Sequence, residues 1–223
     1  MPTVRFFRHA ASRSNDGPLH GHPDWATLSA QGHESARVWA QSVDRPPDLL
    51  VLSPALRSSL TAAPLMARHP GLLAEVWPVG EFTYLATGRA AHTSPDTRRP
   101  WVSAYWSQED PLSCDGTGAE SYAALFKRAW SVRERLQAWS RSVPAEAQLW
   151  MVSHAQFLWA LGWCLSAPSA HAGSWPPMRA FRLATARPDW PALGWQEWAS
   201  PEQSVDGQGA ACTGWRTLGQ SWR

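Results

Sequence analysis

Short apolar runs alternate along the chain with longer segments in which apolar residues recur at helical spacing. The runs at 3–7, 49–52 and 148–152 are short, rich in bulky apolar residues and bounded by polar ones. Runs of this kind are typical of buried strands. Each run is followed directly by polar residues that can bind ligands or take part in catalysis, namely Arg8-His9, Ser53 and Ser153-His154.

Helical segments are predicted between these runs. One follows Ser29, a residue type favoured at helix N-caps, and shows apolar residues at helical spacing from Ala36 to Val43. Another follows Ser121, and its apolar stripe consists of Tyr122, Leu125, Ala129, Val132, Leu136 and Trp139. Because strands and helices alternate, we expect a three-layer α/β/α sandwich with a mainly parallel central sheet.

The length of 223 residues suits one domain spanning 1–223, and we find neither an internal repeat nor an interdomain linker. The segment 88–118 is long and rich in Pro, Ser and Thr. It predicts an irregular insertion that forms a lid or the mouth of a substrate site.

The polar residues at the predicted strand ends define a candidate site. Ligands of open α/β folds bind outside the carboxyl ends of the strands, and arginine grips anions there. His9 and His154 each end a strand, and Arg57 lies in the first turn of the helix opened by Ser53-Pro54. Glu81 follows another apolar run. Arg8 beside His9 completes a set that favours attack by histidine on a phosphoryl group.

Context distinguishes this site from a chance dipeptide. Arg68-His69 repeats the Arg-His pair but precedes Pro70-Gly71, so it is predicted to end a helix. A bare Arg-His pair is therefore weak evidence of function.

In order and spacing, these motifs resemble those of the histidine phosphatase superfamily, which includes the cofactor-dependent phosphoglycerate mutases. The resemblance covers roughly residues 3–185. It rests on Arg8-His9-Ala10, Asn15, Leu28-Ser29-Ala30-Gln31-Gly32, Ser53-Pro54 with Arg57 and Thr61-Ala62, Glu81, Gly118-Ala119-Glu120-Ser121 and Val152-Ser153-His154. It implies a phosphoglycerate mutase-like fold and metal-free chemistry without a cofactor.

Alanine replaces glycine at two positions of the family pattern. Ala10 follows the first histidine and Ala155 follows the second. Glycine at such positions permits positive φ or a close approach of the backbone to a ligand. Alanine is compatible with the site where φ is negative, so we expect a narrower pocket and retained activity.

The expected reaction assigns a role to each residue. A phosphomonoester is nearly a dianion at neutral pH, so Arg8, Arg57 and a protonatable His154 would neutralise it and stabilise its charge. His9 attacks as a neutral imidazole, because neighbouring arginines lower its pKa. Glu81 protonates the leaving group and later acts as the base for hydrolysis of the phosphohistidine.

Several further residues are candidates of lower rank. Glu75 and Glu120 are rivals to Glu81 as the acid, and Arg13 and Asn15 are candidate phosphate contacts on the loop after His9. Arg98-Arg99 could bind a second acidic group of the substrate or form an exposed charge pair. The cluster His20-Gly21-His22-Pro23-Asp24 has potential metal ligands, but its broken loop argues against a metal site, and we predict none.

We therefore predict a hydrolase that acts on a small phosphorylated metabolite through a phosphohistidine. A phosphoglycerate mutase and a non-catalytic module that binds phospho-ligands are the alternatives. The intact set of five site residues argues against a decayed site.

Composition excludes other classes of partner. With 20 basic and 18 acidic residues the net charge is +2, too low for an electrostatic binder of nucleic acid. The three cysteines are widely spaced, and no apolar run is long enough to span a membrane. We expect a cytoplasmic protein.

Many of the tryptophans lie in loop-like sequence. We expect their side chains to pack locally beneath the loops, and a homodimer surface is the alternative.

Overall fold

The computed structural model describes residues 1–13, 21–166, 173–185, 195–199 and 216–220. Within them, six strands form one sheet in the order β3-β2-β4-β1-β5-β6. The strands are β1 (Thr3–Arg8), β2 (Leu49–Leu52), β3 (Ala74–Val76), β4 (Gln148–Ser153), β5 (Trp195–Ala199) and β6 (Arg216–Gln220). The first four are mutually parallel, whereas β5 and β6 extend the sheet antiparallel beyond β1.

Helices connect the parallel strands as predicted. They are α1 (Ala30–Gln41), α2 (Leu56–Arg68), α3 (Thr87–Ala90), α4 (Pro95–Ser107), α5 (Tyr122–Ser142), α6 (Ala155–Ser166) and α7 (Met178–Thr185). Ser29 caps α1 by accepting from the Gly32 N–H, and Ser121 caps α5 by accepting from the Ala124 N–H. The predicted cap at Ser29 is confirmed, and Ser121 has the same role at the start of the second predicted helix. None of the described helices has the length and apolar character needed to cross a membrane.

Alternate residues of the strands are buried on opposite faces of the sheet, which produces three layers. On one face, Val4 and Phe6 of β1 join the core formed by α5, α6 and α7. On the other face, Phe7 of β1 and Leu50 of β2 pack with residues of α1 and α2. The predicted three-layer α/β/α sandwich with a mainly parallel sheet is therefore confirmed.

Gly32 allows α1 to lie close to the loop that follows His9. A Cβ atom at this position would lie 2.0 Å from the Ala11 carbonyl oxygen, so a side chain does not fit without movement of the backbone. The same carbonyl accepts from the Ser29 N–H at 2.9 Å. The Leu-Ser-x-x-Gly element thus holds the loop on α1.

The segment 88–118 differs from the irregular insertion that its composition predicts. It contains the end of α3 and all of α4, whose N-terminus is capped by Ser94. Pro95 occupies the start of α4, where its missing N–H costs nothing, whereas Pro100 lies inside the helix. Tyr105 and Trp106 of α4 are buried in the core. Trp106 thus has the packing role that the sequence favours for the loop tryptophans.

Candidate active site

The carboxyl ends of β1, β2 and β4 meet at one edge of the sheet and bring the predicted residues together. The His9 N–H donates to the Ser153 carbonyl at 2.9 Å, which continues the pairing of β1 and β4 beyond β1. The imidazole rings of His9 and His154 have centroids 4.9 Å apart. The two histidines, far apart in the sequence, therefore share one site.

Arg57 lies between the two histidines. Its Nε donates to Nε2 of His9 at 3.1 Å, and its Nη2 donates to Nδ1 of His154 at 2.9 Å. Its Nη1 donates to the Pro23 carbonyl at 2.8 Å. Arg57 is the second residue of α2, so the first turn of the helix delivers the guanidinium to the sheet edge. Its side chain is buried, with a relative exposure of 6%.

The contacts of Arg57 define the tautomers of both rings. A guanidinium only donates hydrogen bonds, so Nε2 of His9 and Nδ1 of His154 must be unprotonated acceptors. The proton of His9 is then on Nδ1, which donates to the Ala10 carbonyl at 2.7 Å. The proton of His154 is on Nε2, which donates to Oγ of Ser53 at 2.7 Å. His9 therefore presents a lone pair on Nε2.

Burial and positive charge keep both rings neutral. Burial, and then the charges of Arg57 and Arg8, lower the pKa of His9 to about 3, although its bond to the Ala10 carbonyl opposes the shift. Burial and Arg57 likewise hold the pKa of His154 well below its usual range. The predicted lowering of the His9 pKa by neighbouring arginines is present, but burial is the larger cause.

Glu81 lies on the same site, on the irregular chain beyond β3. Its Oε1 accepts from the Phe82 N–H at 3.0 Å and from the Phe157 N–H, in the first turn of α6, at 3.3 Å. Burial raises the pKa of this carboxyl, and those two N–H groups and the nearby Arg57 and Arg8 only partly counteract it. A carboxyl with a raised pKa keeps its proton to higher pH, as a general acid requires.

These groups form one end of a cavity of about 230 Å³. The surface that lines this cavity is mostly apolar. The lining residues are Arg8, His9, Pro23, Asp24, Arg57, Glu81, Phe82, Thr83, Tyr84, Leu85, Ala90 and Arg98. His154 is fully buried behind Arg57. The cavity can accept a small ester with its phosphoryl group at the histidine and arginine end.

The substitutions of glycine by alanine fit the backbone. Among the described residues other than glycine, positive φ occurs at His92 and Glu109, and neither Ala10 nor Ala155 has it. Ala10 is buried, and its N–H donates to Oγ1 of Thr61 at 3.0 Å. Alanine is therefore compatible with both positions, as negative φ predicts.

The rival acids lie in ion pairs elsewhere. Glu75 pairs with Arg135, and Glu120 pairs with Arg128, in each case with N···O distances of 2.7–2.8 Å. Glu81 is the predicted acid that lines the cavity. The pair Arg68-His69 ends α2, where Arg68 donates to the Ala40 carbonyl, as its sequence context predicts.

Arg13, one of the two phosphate contacts of lower rank, is not brought to the cavity. Arg13 is exposed, and it is not among the described residues that line the cavity. Asn15 and His20 lie outside the described residues. His22 caps the short 3-10 turn Pro23–Trp25 by accepting from the Asp24 N–H, and across the described ranges no group of three or more His, Cys, Asp or Glu side chains is arranged to hold a metal.

Three further groups support the site and are not among the residues predicted to act in it. Oγ of Ser53 accepts a hydrogen bond from Nε2 of His154, Oγ1 of Thr61 accepts one from the Ala10 N–H, and the Pro23 carbonyl accepts one from Arg57. Ser53 and Thr61 belong to the Ser-Pro-x-x-Arg-x-x-x-Thr-Ala motif, so the spacing of that motif was the available signal. Pro23 acts through its backbone, for which residue type gives no signal.

Comparison with known proteins identifies the family. The profile of the histidine phosphatase superfamily (branch 1) matches residues 4–180. The chain therefore belongs to this superfamily. A search of curated protein sequences finds no match.

Solved structures with the same fold include phosphatases of different named specificities. A mycobacterial glucosyl-3-phosphoglycerate phosphatase in complex with VO3 has a TM-score of 0.67 and 22% identity, covering 96% of each chain. The alpha-ribazole phosphatase of Shigella flexneri has a TM-score of 0.66 and 18% identity, covering 90% of this chain and 91% of its own. A phosphoserine phosphatase mutant of Entamoeba histolytica in complex with phosphoserine has a TM-score of 0.63 and 14% identity, covering 99% and 96%.

The two buried neutral histidines predict a loss of stability in mild acid. An unfolded histidine has a pKa of about 6.5, so between pH 6.5 and about 3 His9 binds more protons in the unfolded chain than in the folded protein. His154, whose pKa also lies well below its usual range, acts in the same direction. The free energy of unfolding should therefore fall as the pH falls below 6.5, by up to about 1.4 kcal/mol per pH unit for each histidine. The raised pKa of Glu81 has the opposite effect. Just above the pKa of an unfolded glutamate, the folded protein binds more protons at this carboxyl than the unfolded chain does, so its contribution to the free energy of unfolding rises as the pH falls.

Urea denaturation between pH 5.5 and 7.5 measures this slope. We expect His154→Asn to reduce the slope relative to the wild type, whatever its effect on absolute stability. His33→Asn, at an exposed position of α1, is the control and should keep the wild-type slope. A slope that is unchanged in His154→Asn would contradict the prediction.

Proposed function

We propose that the protein is a phosphatase that hydrolyses a small phosphomonoester through a phosphohistidine at His9. One observation supports this proposal above the others. The unprotonated Nε2 of His9 lies at the wall of a cavity that also carries Arg57 and the carboxyl of Glu81. A nucleophile, an anion-binding group and an acid are thus available to one bound ester.

Binding of the substrate would redirect Arg57. Hydrogen bonds from a guanidinium to phosphate are charge-assisted and stronger than those to a neutral imidazole. The phosphoryl oxygens would therefore attract the N–H groups that Arg57 now directs to His9 and His154. This exchange frees the lone pair on Nε2 of His9 for attack, while Arg8 adds a second positive charge at the same end of the cavity.

The first chemical step transfers the phosphoryl group. Nε2 of His9 attacks phosphorus, the bond to the ester oxygen breaks, and Glu81 gives its proton to the departing alkoxide. Nδ1 of His9 keeps its proton and continues to donate it to the Ala10 carbonyl in a hydrogen bond. The phosphorylated ring therefore carries a positive charge, which favours later release of the phosphoryl group. In the second step water attacks phosphorus, Glu81 accepts a proton from that water, and the bond between phosphorus and Nε2 breaks, which releases phosphate and restores neutral His9.

His154 would stabilise the charge of the phosphoryl group. Burial lowers the pKa of His154 most, and the charge of Arg57 comes next. A bound dianion would counteract the positive charges and raise this pKa, so that a proton could bind at Nδ1. Nε2 would continue to donate to Ser53, whose Oγ also accepts from the Ala55 N–H at 3.1 Å. The cation would then donate from Nδ1 to a phosphoryl oxygen.

The proposal assigns every proton and charge to a residue of the chain, so we expect activity without a metal or cofactor. A small phosphorylated substrate is the expected partner, and neither nucleic acid nor membrane is required. Hydrolysis distinguishes this function from a mutase, which would return the phosphoryl group to a second hydroxyl.

Trapping of the intermediate tests the proposal. The purified protein is mixed with p-nitrophenyl phosphate in EDTA, quenched in alkali to preserve phosphohistidine, digested and examined by mass spectrometry. We expect release of phosphate together with a phosphorylated peptide that contains His9. Phosphate binding without release or labelling would point to a binding module, and labelling at another residue would identify a different nucleophile.

A further inference from the structure

The adjacent residues Arg98 and Arg99 of α4 occupy different environments. Arg99 is exposed, with 77% of its side chain accessible, and it forms an ion pair with Asp96 at 2.7 Å. Arg98 is half-buried and lines the cavity that contains His9. Of the two interpretations that the sequence allows, the exposed charge pair describes Arg99, and a substrate contact remains available to Arg98.

The guanidinium of Arg98 is anchored, but its charge is not paired with a carboxylate of the described residues. Its Nη1 donates to the Thr93 carbonyl at 2.5 Å and to Oγ1 of Thr93 at 3.3 Å. Across the described residues, no Asp or Glu oxygen lies within ion-pair distance of it. A half-buried cation that neutral groups hold in place is arranged to receive an anion at low entropic cost.

The position of Arg98 in the cavity suggests which part of a substrate it contacts. The phosphoryl end is formed by residues at the sheet edge, whereas Arg98 comes from α4 in the insertion. Apolar residues of the intervening chain, including Phe82 and Leu85, form the wall of the cavity. The leaving group of an ester bound at His9 is the part of the substrate that meets these residues.

We propose that Arg98 determines specificity by binding a second anionic group, a carboxylate or a phosphate, on the leaving group of the substrate. This inference rests on the proposed function, because it takes His9 as the position of the reacting phosphoryl group. Arginine suits the role, since its planar donor groups match the oxygens of both anions. The substrate class is therefore a phosphomonoester with an additional acidic group.

Matched pairs of substrates test the inference. The carboxylate pair is 3-phosphoglycerate with glycerol 3-phosphate, and the phosphate pair is fructose 1,6-bisphosphate with fructose 6-phosphate. In at least one pair, we expect the wild type to favour the ester with the additional anion. Arg98→Gln should lower kcat/KM for that ester by about 10- to 100-fold, and by less than about 3-fold for its neutral partner. The pair that responds identifies the anion as carboxylate or phosphate.

Arg99→Gln is the matched control, because it removes the same charge from the neighbouring residue of the same helix. It should change neither member of a pair by more than about 2-fold, since an exposed ion pair contributes little. Arg98→Lys should keep part of the preference because it keeps the charge. Equal losses on both members of each pair in Arg98→Gln, or no preference in the wild type, would overturn the inference.

Binding measurements separate failure of this inference from failure of the proposed function. Calorimetry on His9→Ala, with and without Arg98→Gln, measures the affinity for intact esters without turnover. If the wild type also releases no phosphate, tighter binding of the anionic ester that depends on Arg98 would support the inference and contradict the catalytic proposal. Turnover in the wild type, with ester affinities and kcat/KM values that do not change in Arg98→Gln, would contradict this inference and leave the catalytic proposal standing.

Discussion

His9→Ala should abolish phosphate release, lowering kcat for p-nitrophenyl phosphate by about 10⁴-fold or more. Removal of the nucleophile eliminates the covalent route, and the remaining groups provide only charge stabilisation. Alanine cannot be phosphorylated, so no labelled intermediate should form. Steady-state release of nitrophenol measures the loss.

Two observations control for misfolding and for contamination. Arg8 and Arg57 remain in His9→Ala, so it should still bind inorganic phosphate or vanadate. His69→Ala removes the histidine of the other Arg-His pair, at the end of α2 and away from the cavity, and should keep activity near that of the wild type. Equal release from wild type and His9→Ala would show that another group is the nucleophile or that the activity belongs to a contaminant.

Glu81→Gln should lower kcat/KM for alkyl phosphates by about 10²- to 10⁴-fold, the usual contribution of a general acid. Glutamine can still accept from the Phe82 and Phe157 N–H groups but has no proton to give to the leaving group. Nitrophenolate leaves readily without a proton, so the loss for p-nitrophenyl phosphate should be much smaller. This dependence on the leaving group distinguishes an acid from a residue that only holds the structure.

The same variant should change the pH dependence of kcat/KM. The acid must be protonated, and burial raises the pKa of Glu81, so wild-type kcat/KM should fall as the pH rises through that raised value. Glu81→Gln should lack this fall. Because His9, with a pKa of about 3, is already neutral across this range, its titration should not mask the effect.

Glu120→Gln is the matched control for the acid. Glu120 is paired with Arg128, and it is not one of the described residues that line the cavity. We expect wild-type dependence on pH and on the leaving group in this variant. A uniform loss for Glu81→Gln across good and poor leaving groups would assign Glu81 a positioning role instead.

The sequence alone predicted where the site lies. Parallel strands bring their carboxyl ends to one edge, so residues that follow apolar runs, such as His9 and His154, could be grouped without coordinates. The first-turn position of Arg57 followed from the Ser-Pro helix start. These inferences rely on local signals, namely short apolar runs, capping residues and helical spacing, which the structure confirms.

The tertiary structure decided the contacts within that site. Arg57 reaches both histidines, and Ser53 bonds His154, through pairs separated by as many as 101 residues in the sequence. Glu81 owes its raised pKa to burial, which depends on everything packed around it. Such properties arise from non-local packing and have no local signature in the chain.

The insertion at 88–118 shows the same division between what the sequence predicted and what the tertiary structure decided. Its composition predicted an irregular lid or substrate mouth and not the helix α4, because Pro95 and Ser94 favour a helix start while Pro and Ser elsewhere favour loops. Nor could the sequence separate Arg98 from Arg99, which are adjacent and chemically identical. Only the direction in which α4 presents each side chain, set by its packing on the core through Tyr105 and Trp106, places one at the cavity and the other beside Asp96.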